Sequence, residues 1–186
     1  MKELFSDILD MTEKYGWGLY LNTDNNGNSW IVGQAFLDNS QILKLKQISK
    51  EACTAGAIEL RNRYRNDKLP VNGWAVDLRN GSDIEYYEDE KGNIIKDPLA
   101  LFEHLQVGDL LIYSNPKNPE GKKGKDENGN NYGFTGHTAS IISKTKNYVI
   151  TLEFHENGKD PTINLIYKNT LLWFNDTDLY GGASWK

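Results

Sequence analysis

The sequence predicts an α+β fold in which helices come first and a mainly antiparallel sheet follows. Apolar residues recur at helical spacing in parts of the N-terminal third, whereas short apolar runs separated by Lys/Asn and Gly/Asp/Pro turns dominate the C-terminal third. Helices and strands that are segregated along the chain favour α+β over an alternating α/β sheet. A length of 186 residues suits one domain, 1–186.

The elements of the first half are predicted from apolar spacing and its interruptions. A helix is predicted over 4–15, and Gly16 ends its pattern. Residues 18–37 have apolar stretches on either side of an Asn/Gly/Asp cluster, which is typical of a β-hairpin or an irregular surface loop. Ser49 is predicted to cap a second helix, and 81–97 to form a polar excursion with two short strands.

The second half is predicted to supply most of the sheet. A short helix should begin at Pro98 with Asp97 as its N-cap, and a buried strand should follow at 109–113. The Lys/Gly/Asn-rich stretch 115–133 has little to bury, so a long exposed loop or an insertion is expected. Three further strands are predicted at 139–143, 148–154 and 162–174.

Composition limits the classes of partner and cofactor. The chain holds 21 basic and 26 acidic residues, a formal net charge of -5, so nucleic acid is not an expected partner. No stretch approaches the roughly 18 apolar residues of a membrane-spanning helix, and the N terminus lacks the basic-then-apolar pattern of a signal peptide. Because Cys53 is the single cysteine, no intramolecular disulfide and no thiolate-rich metal site can form. No metal or cofactor is expected.

Three side chains that amide hydrolysis requires occur in chain order: a nucleophile, a base and a group that orients the base. Cys53 lies in the first turn of the predicted second helix, where backbone N–H groups and the helix dipole stabilise a thiolate. His137 starts a strand and can accept the thiol proton near its ordinary pKa of about 6.5. If the next strand pairs antiparallel, Glu153 can approach the other ring nitrogen of His137.

Each candidate also has a purely structural interpretation. A lone cysteine among Ala and Leu at helical spacing is typical of a small core residue, and an isolated glutamate on a strand is most often solvated. The occurrence of all three in this order favours catalysis. His155 shares a strand face with Glu153 and is a second orienting candidate or a substrate contact, whereas His104 is interpreted as structural.

Two further residues are candidates for substrate binding. Gln47 precedes Cys53 by six residues and could offer a side-chain N–H to an oxyanion. Trp74, with Trp17 and Trp30, could form walls of a cleft, although large aromatic side chains more often fill a core.

Four stretches resemble the blocks of the NlpC/P60 and CHAP group of papain-like cysteine peptidases and amidases, in the order ACTAGAIEL, LQVGDLLIY, GHTASIIS and VITLEFH. The resemblance covers about residues 45–157 and leaves 1–44 as an unassigned N-terminal extension. It implies a papain-like fold with Cys53 as the nucleophile, His137 as the general base and Glu153 as the orienting residue.

The identity of the third residue stays open at this point. In CHAP-type members an Asn commonly lies two positions after the Glu, and His155 occupies that place here. NlpC/P60 members more often have His, Asn or Gln in the third role. The resemblance therefore leaves both Glu153 and His155 as candidates.

The resemblance also implies an activity. Family members cleave amide bonds of bacterial cell-wall peptides, so we expect a cysteine-dependent amidase or endopeptidase with peptidoglycan peptides as its substrate. A small catalytic domain without a signal segment also resembles amidase toxins that bacteria deliver into competitors, which implies a secreted or periplasmic site of action and an immunity or inhibitor protein as partner. The alternatives are a protein deamidase or transacylase on the same fold, or a catalytically silent peptide- or glycan-binding module.

Overall fold

The computed structural model describes residues 2–23, 27, 29–66, 68–71, 74–121, 135–156, 158–174 and 177–186. Its α-helices are Lys2–Glu13 (α1), Asn39–Lys46 (α2), Cys53–Arg65 (α3), Ala75–Asn80 (α4) and Pro98–His104 (α5). Its strands are Trp17–Thr23 (β1), Ser29–Ala35 (β2), Ile84–Tyr86 (β3), Leu110–Ser114 (β4), Gly136–Lys144 (β5), Tyr148–Glu153 (β6), Thr162–Tyr167 (β7), Trp173–Phe174 (β8) and Thr177–Trp185 (β9).

The described strands form one sheet in the order β1-β2-β7-β6-β5-β4-β9-β3, and β8 pairs with β9 beside this path. Every pairing between these strands is antiparallel. The α+β class predicted from the sequence is therefore confirmed. The short connections between β5, β6 and β7 keep strands that are neighbours in sequence next to each other in the sheet.

Helices cover both faces of this sheet. On one face, α1, α2 and α3 pack on the central strands through buried side chains that include Phe5, Ile8, Leu45, Leu60, Ile142, Ile150, Leu152 and Ile163. On the other face, α5 packs through Leu101, Phe102, Leu105, Leu111, Ile141, Val149 and Ile166. Because neighbouring strand residues point to opposite faces, Ile141 and Ile142 belong to different cores.

The start of α3 differs from the sequence prediction. Ser49 is not the N-cap, because the helix begins at Cys53 and Ala52 holds the cap position. The hydroxyl of Ser49 instead accepts a hydrogen bond from the backbone N–H of Glu51 at 3.0 Å, which satisfies it in a local turn. Cys53 is thus the first residue of the helix.

Other predicted elements are found with changed bounds. Residues 18–37 form the hairpin alternative, since β1 and β2 pair from Trp17 with Ala35 to Thr23 with Ser29. Asp97 and Pro98 begin α5 as predicted. The single strand predicted at 162–174 is divided into β7, a short 3-10 helix and β8. Of the loop predicted at 115–133, residues 122–133 lie outside the described residues.

Two elements were missed. Helix α4 follows a stretch that indicates only a loop, and β9 carries Gly181 and Gly182, which weaken a strand pattern. These glycines are required by close packing, because a Cβ at position 182 would lie 2.7 Å from a methyl group of Leu105. None of the described helices has the length and apolar character needed to cross a bilayer.

The contact between α3 and the residue that follows β6 can be tested at Gly56. A Cβ at this position would lie 2.6 Å from the Cβ of buried Phe154 and nearer still to its ring. Gly56→Ala should therefore lower the free energy of unfolding by about 1–3 kcal/mol through overpacking. This loss opposes the roughly 1 kcal/mol by which alanine normally stabilises a helix interior. Urea unfolding measures the difference.

A double-mutant cycle supplies the control for this prediction. In a Phe154→Ala background the contacts with the ring are removed and only the Cβ contact at 2.6 Å remains, so the same Gly56→Ala change should destabilise the protein less than it does in the wild type. Equal effects in both backgrounds would contradict the packing of α3 on the chain at Phe154.

Candidate active site

The candidate nucleophile lies at an uncapped helix start. Cys53 is half-buried, and the N-cap residue before it, Ala52, makes no side-chain capping hydrogen bond. The first N–H groups of a helix have no partner within the helix, and a serine or aspartate cap normally accepts from one of them. An alanine cannot do so. A side-chain cap therefore does not occupy the donors beside the sulfur atom.

Neighbouring groups surround the sulfur atom at the start of β5. The backbone N–H of Thr138 is one of the groups that lower the pKa of the Cys53 thiol. The Thr54 hydroxyl lies 3.8 Å from the same atom, and it pairs with the Thr138 hydroxyl at 3.4 Å. These contacts join the first turn of α3 to the strand that carries His137.

His137 is held in place from several sides. Its Nε2–H donates to Oε2 of Glu153 at 2.8 Å, and its ring lies flat on the ring of Phe174, with centroids 3.8 Å apart and planes 7° apart. Gly136 has a φ of +143°, and a Cβ there would collide with the carbonyl oxygen of Tyr113. The Gly-His sequence therefore allows β5 to pass close to β4 where the imidazole leaves the strand.

Glu153 is fully buried and accepts three hydrogen bonds. The donors are the ring of His137, the Thr151 hydroxyl at 2.6 Å and the Asn164 side-chain amide at 2.9 Å. Burial raises the pKa of this carboxyl, but these donors outweigh burial and the net shift is downward. The carboxylate is thus ionised beside His137.

The thiol and the imidazole shift each other's pKa in opposite directions. Burial raises the pKa of Cys53, but the charge of His137 and its hydrogen bond to the sulfur lower it further than burial raises it. Burial lowers the pKa of His137, whereas Cys53 and then Glu153 raise it to about 9. Both shifts favour a thiolate next to an imidazolium at neutral pH. This ion pair is the state that a cysteine hydrolase uses.

His155 lies beside the site in a different role from Glu153. It follows the end of β6, and its ring is parallel to that of His137 with centroids 5.9 Å apart. Nε2 of His155 is hydrogen-bonded to the Thr162 hydroxyl at 2.8 Å. Burial is the first cause that lowers the pKa of His155, which favours its neutral form. The group that bonds to the His137 ring nitrogen is therefore Glu153.

Gln47 and Trp74, the other two residues predicted to bind substrate, are placed differently. Gln47 is exposed at the end of α2, and its carbonyl accepts a hydrogen bond from Arg63 in the last turn of α3. None of its hydrogen bonds joins it to Cys53. Trp74 is 43% exposed at the start of α4, where the N–H of Val76 donates to the hydroxyl of Thr135 at 3.3 Å. Trp74 thus lies near the start of β5.

The sequence prediction did not include several residues that build the site. Thr151 could have been found, because it precedes Glu153 by two strand positions and shares its face. Asn164 is a polar residue within the apolar run TINLIY, which is a weak signal of a buried contact. Phe174 gives no local signal, because only the folded chain brings its ring to His137.

A separate cavity of about 370 Å³ lies along the later turns of α3, lined among others by Leu60, Arg61, Tyr64, Asp109 and Trp185. It includes none of the three candidate catalytic residues. Within the described ranges, no three His, Cys, Asp or Glu side chains are grouped in a way that could hold a metal ion.

Comparisons with family models, with curated proteins and with solved structures found no match to this chain. The case for a function therefore depends on the contacts of Cys53, His137 and Glu153.

The uncapped start of α3 leads to a test in which stability and reactivity change in opposite directions. Ala52→Asp supplies the missing cap and should raise the free energy of unfolding by about 0.5–2 kcal/mol. The new carboxylate occupies helix N–H groups beside Cys53 and disfavours the thiolate, so alkylation of Cys53 by iodoacetamide at neutral pH should slow. Ala52→Asn also caps the helix but adds no charge, so it shows how much of the change in alkylation rate comes from the occupied N–H donors alone. A stabilised Ala52→Asp variant with an unchanged alkylation rate would contradict the role given to these donors.

The contribution of Glu153 is tested by the pH dependence of the same reaction. An ordinary thiol reacts about tenfold more slowly for each pH unit below its pKa of about 8.5. Because the pKa of Cys53 is lowered, its alkylation rate should fall less between pH 8 and neutrality than the rate of an ordinary thiol. Glu153→Gln removes the negative charge that stabilises the imidazolium of His137. The alkylation rate of Cys53 should then fall steeply again as the pH is lowered.

Glu156→Gln is the matched control, because it removes the same charge from an exposed position. It should keep the wild-type profile. Identical profiles for the wild type and Glu153→Gln would remove Glu153 from the proposed ion-pair arrangement.

Proposed function

We propose that this protein is a cysteine-dependent amidase or endopeptidase that hydrolyses amide bonds in bacterial peptidoglycan peptides. The observation that carries the proposal is the position of His137, which interacts with the Cys53 sulfur and bonds through Nε2 to buried Glu153 at 2.8 Å. A nucleophile, a base and an orienting carboxylate are the three components of this chemistry. The direction of their pKa shifts agrees with that assignment.

The order of elements supports a papain-like arrangement. The nucleophile begins α3, which packs on an antiparallel sheet, and the base and the carboxylate come from the consecutive strands β5 and β6. The same order underlies the resemblance to NlpC/P60 and CHAP enzymes. The resemblance also supports the choice of substrate, since those enzymes act on cell-wall peptides.

Acylation follows from the charges of the site. The Cys53 thiolate attacks the carbonyl carbon of the scissile amide, and the resulting oxyanion accepts hydrogen bonds from backbone N–H groups at the start of α3. The imidazolium of His137 donates its proton to the leaving nitrogen as the C–N bond breaks. The amine departs, and a thioester between the substrate acyl group and Cys53 remains.

Deacylation restores the starting state. Neutral His137 accepts a proton from water while the water oxygen attacks the thioester carbonyl. The C–S bond then breaks, the carboxylic acid product leaves, and Cys53 is again a thiolate beside an imidazolium. Glu153 keeps its charge throughout and holds the ring in one orientation.

The substrate determines where such an enzyme acts. Peptidoglycan lies outside the cytoplasm, so the proposal includes a secreted or periplasmic site of action. An enzyme delivered into competing cells also requires an immunity or inhibitor protein in the producing cell, and that protein is the partner we expect.

Mass spectrometry of purified peptidoglycan fragments tests this function directly. Wild-type protein should generate new fragments with a free amine and a free carboxyl at the cleaved bond. Cys53→Ala should generate none while giving the wild-type circular dichroism spectrum. The fragment masses then identify the bond.

Other outcomes distinguish the alternatives. Cleavage by Cys53→Ala at the wild-type rate would overturn the mechanism. A folded, thiol-reactive wild type that leaves every fragment intact would overturn peptidoglycan as the substrate and favour a deamidase or transacylase. Fragment binding without cleavage, undiminished in Cys53→Ala, would favour the binding module.

A further inference from the structure

The N-terminal hairpin reaches the candidate active site through two side-chain amides. Strand β2 lies next to β7, where Gln34 pairs with Asn164. The side-chain N–H of Gln34 donates to Oδ1 of Asn164 at 3.1 Å, and Nδ2 of Asn164 donates to Oε1 of Glu153 at 2.9 Å. Glu153 in turn accepts from His137.

We propose that Gln34 is a positioning residue, which orients the Asn164 amide and through it the Glu153 carboxylate that holds His137. The proposal rests on the proposed function and deepens it. It also gives a role to residues 1–44, which the family resemblance leaves unassigned, because their hairpin supplies the first donor of this chain of hydrogen bonds.

The chemistry of an amide explains why Asn164 needs Gln34. The two ends of an asparagine side chain have nearly the same shape, but one end only donates and the other only accepts. A donor at Oδ1 therefore fixes which end faces the carboxylate. If the amide turned over, Oδ1 would face Glu153 and two acceptors would repel each other.

Burial makes this orientation costly to lose. Asn164 is 3% exposed and Glu153 is fully buried, so water cannot readily replace a missing partner. Nδ2 of Asn164 also donates to the Thr162 hydroxyl at 3.2 Å, and Thr162 is bonded to His155. The same amide is thus bonded directly to Glu153 and linked through Thr162 to His155.

Gln34→Met tests the proposal, because methionine has a similar length but no N–H donor. Two readouts are needed. Carbon NMR of the Glu153 carboxyl should show a higher pKa than in the wild type, because the Asn164 hydrogen bond is one of the causes that lower it. Alkylation of Cys53 at neutral pH should slow by about three- to tenfold, with its pH midpoint shifted upward.

Matched variants separate positioning from folding. Gln106→Met makes the same side-chain change at an exposed position and should leave both readouts unchanged. Gln34→Glu keeps the shape of the side chain but presents only acceptors, so it should alter both readouts in the same direction as Gln34→Met. Thermal unfolding of every variant shows whether the fold is kept. If Gln34→Met does not fold, the two readouts are taken from Gln34→Glu instead.

The outcomes for the two proposals are distinguishable. A folded Gln34→Met protein with a wild-type Glu153 pKa and a wild-type alkylation profile would overturn the role of Gln34 and leave the proposed function standing. A wild-type thiol of ordinary reactivity would overturn the proposed function, and with it the importance of Gln34 for that function, whatever the Glu153 titration shows.

Discussion

The hydrogen bond between Nε2 of His137 and Oε2 of Glu153 is the interaction on which the site depends. Both groups are buried, and a buried carboxylate is costly unless its charge is paired and its oxygens are bonded. Thr151 and Asn164 supply the remaining donors, so Glu153 remains ionised. An ionised Glu153 stabilises an imidazolium at His137, and the imidazolium stabilises the Cys53 thiolate. The charge of Cys53 thus depends on that of His137, which in turn depends on that of Glu153.

Strand register, one glycine and the start of one helix bring these three charged groups together. Ser140 of β5 pairs with Leu152 of β6, so Glu153 and His137 are diagonal neighbours on adjacent strands. The glycine before His137 permits close passage of β5 by β4, and α3 begins at Cys53 without a side-chain cap. A well-capped helix would be more stable, but its cap would occupy the donors that the proposed oxyanion requires. The protein thus keeps a less stable local arrangement where chemistry is proposed.

Local patterns predicted much of this architecture. Apolar spacing indicated α1, the hairpin and the central strands, and Asp97 with Pro98 indicated α5, because those signals lie within a few residues of each other. Sequence could not place partners distant along the chain, such as Gln34, Asn164 and Phe174, whose roles depend on strand register. The prediction of Ser49 as a helix cap was wrong, because its hydroxyl accepts a hydrogen bond in a local turn. Strand β9 was missed, because its closely packed glycines weaken a strand pattern.

Nitrogen NMR of the His137 ring tests the central claim, the thiolate–imidazolium pair supported by Glu153, most directly. With selectively labelled histidine, the signals of His137 are identified by their loss in His137→Gln. The account predicts that both ring nitrogens carry protons at neutral pH and that one proton is lost as pH rises through about 9. A ring that is neutral at pH 7 and titrates at or below its ordinary value of about 6.5 would contradict the ion pair.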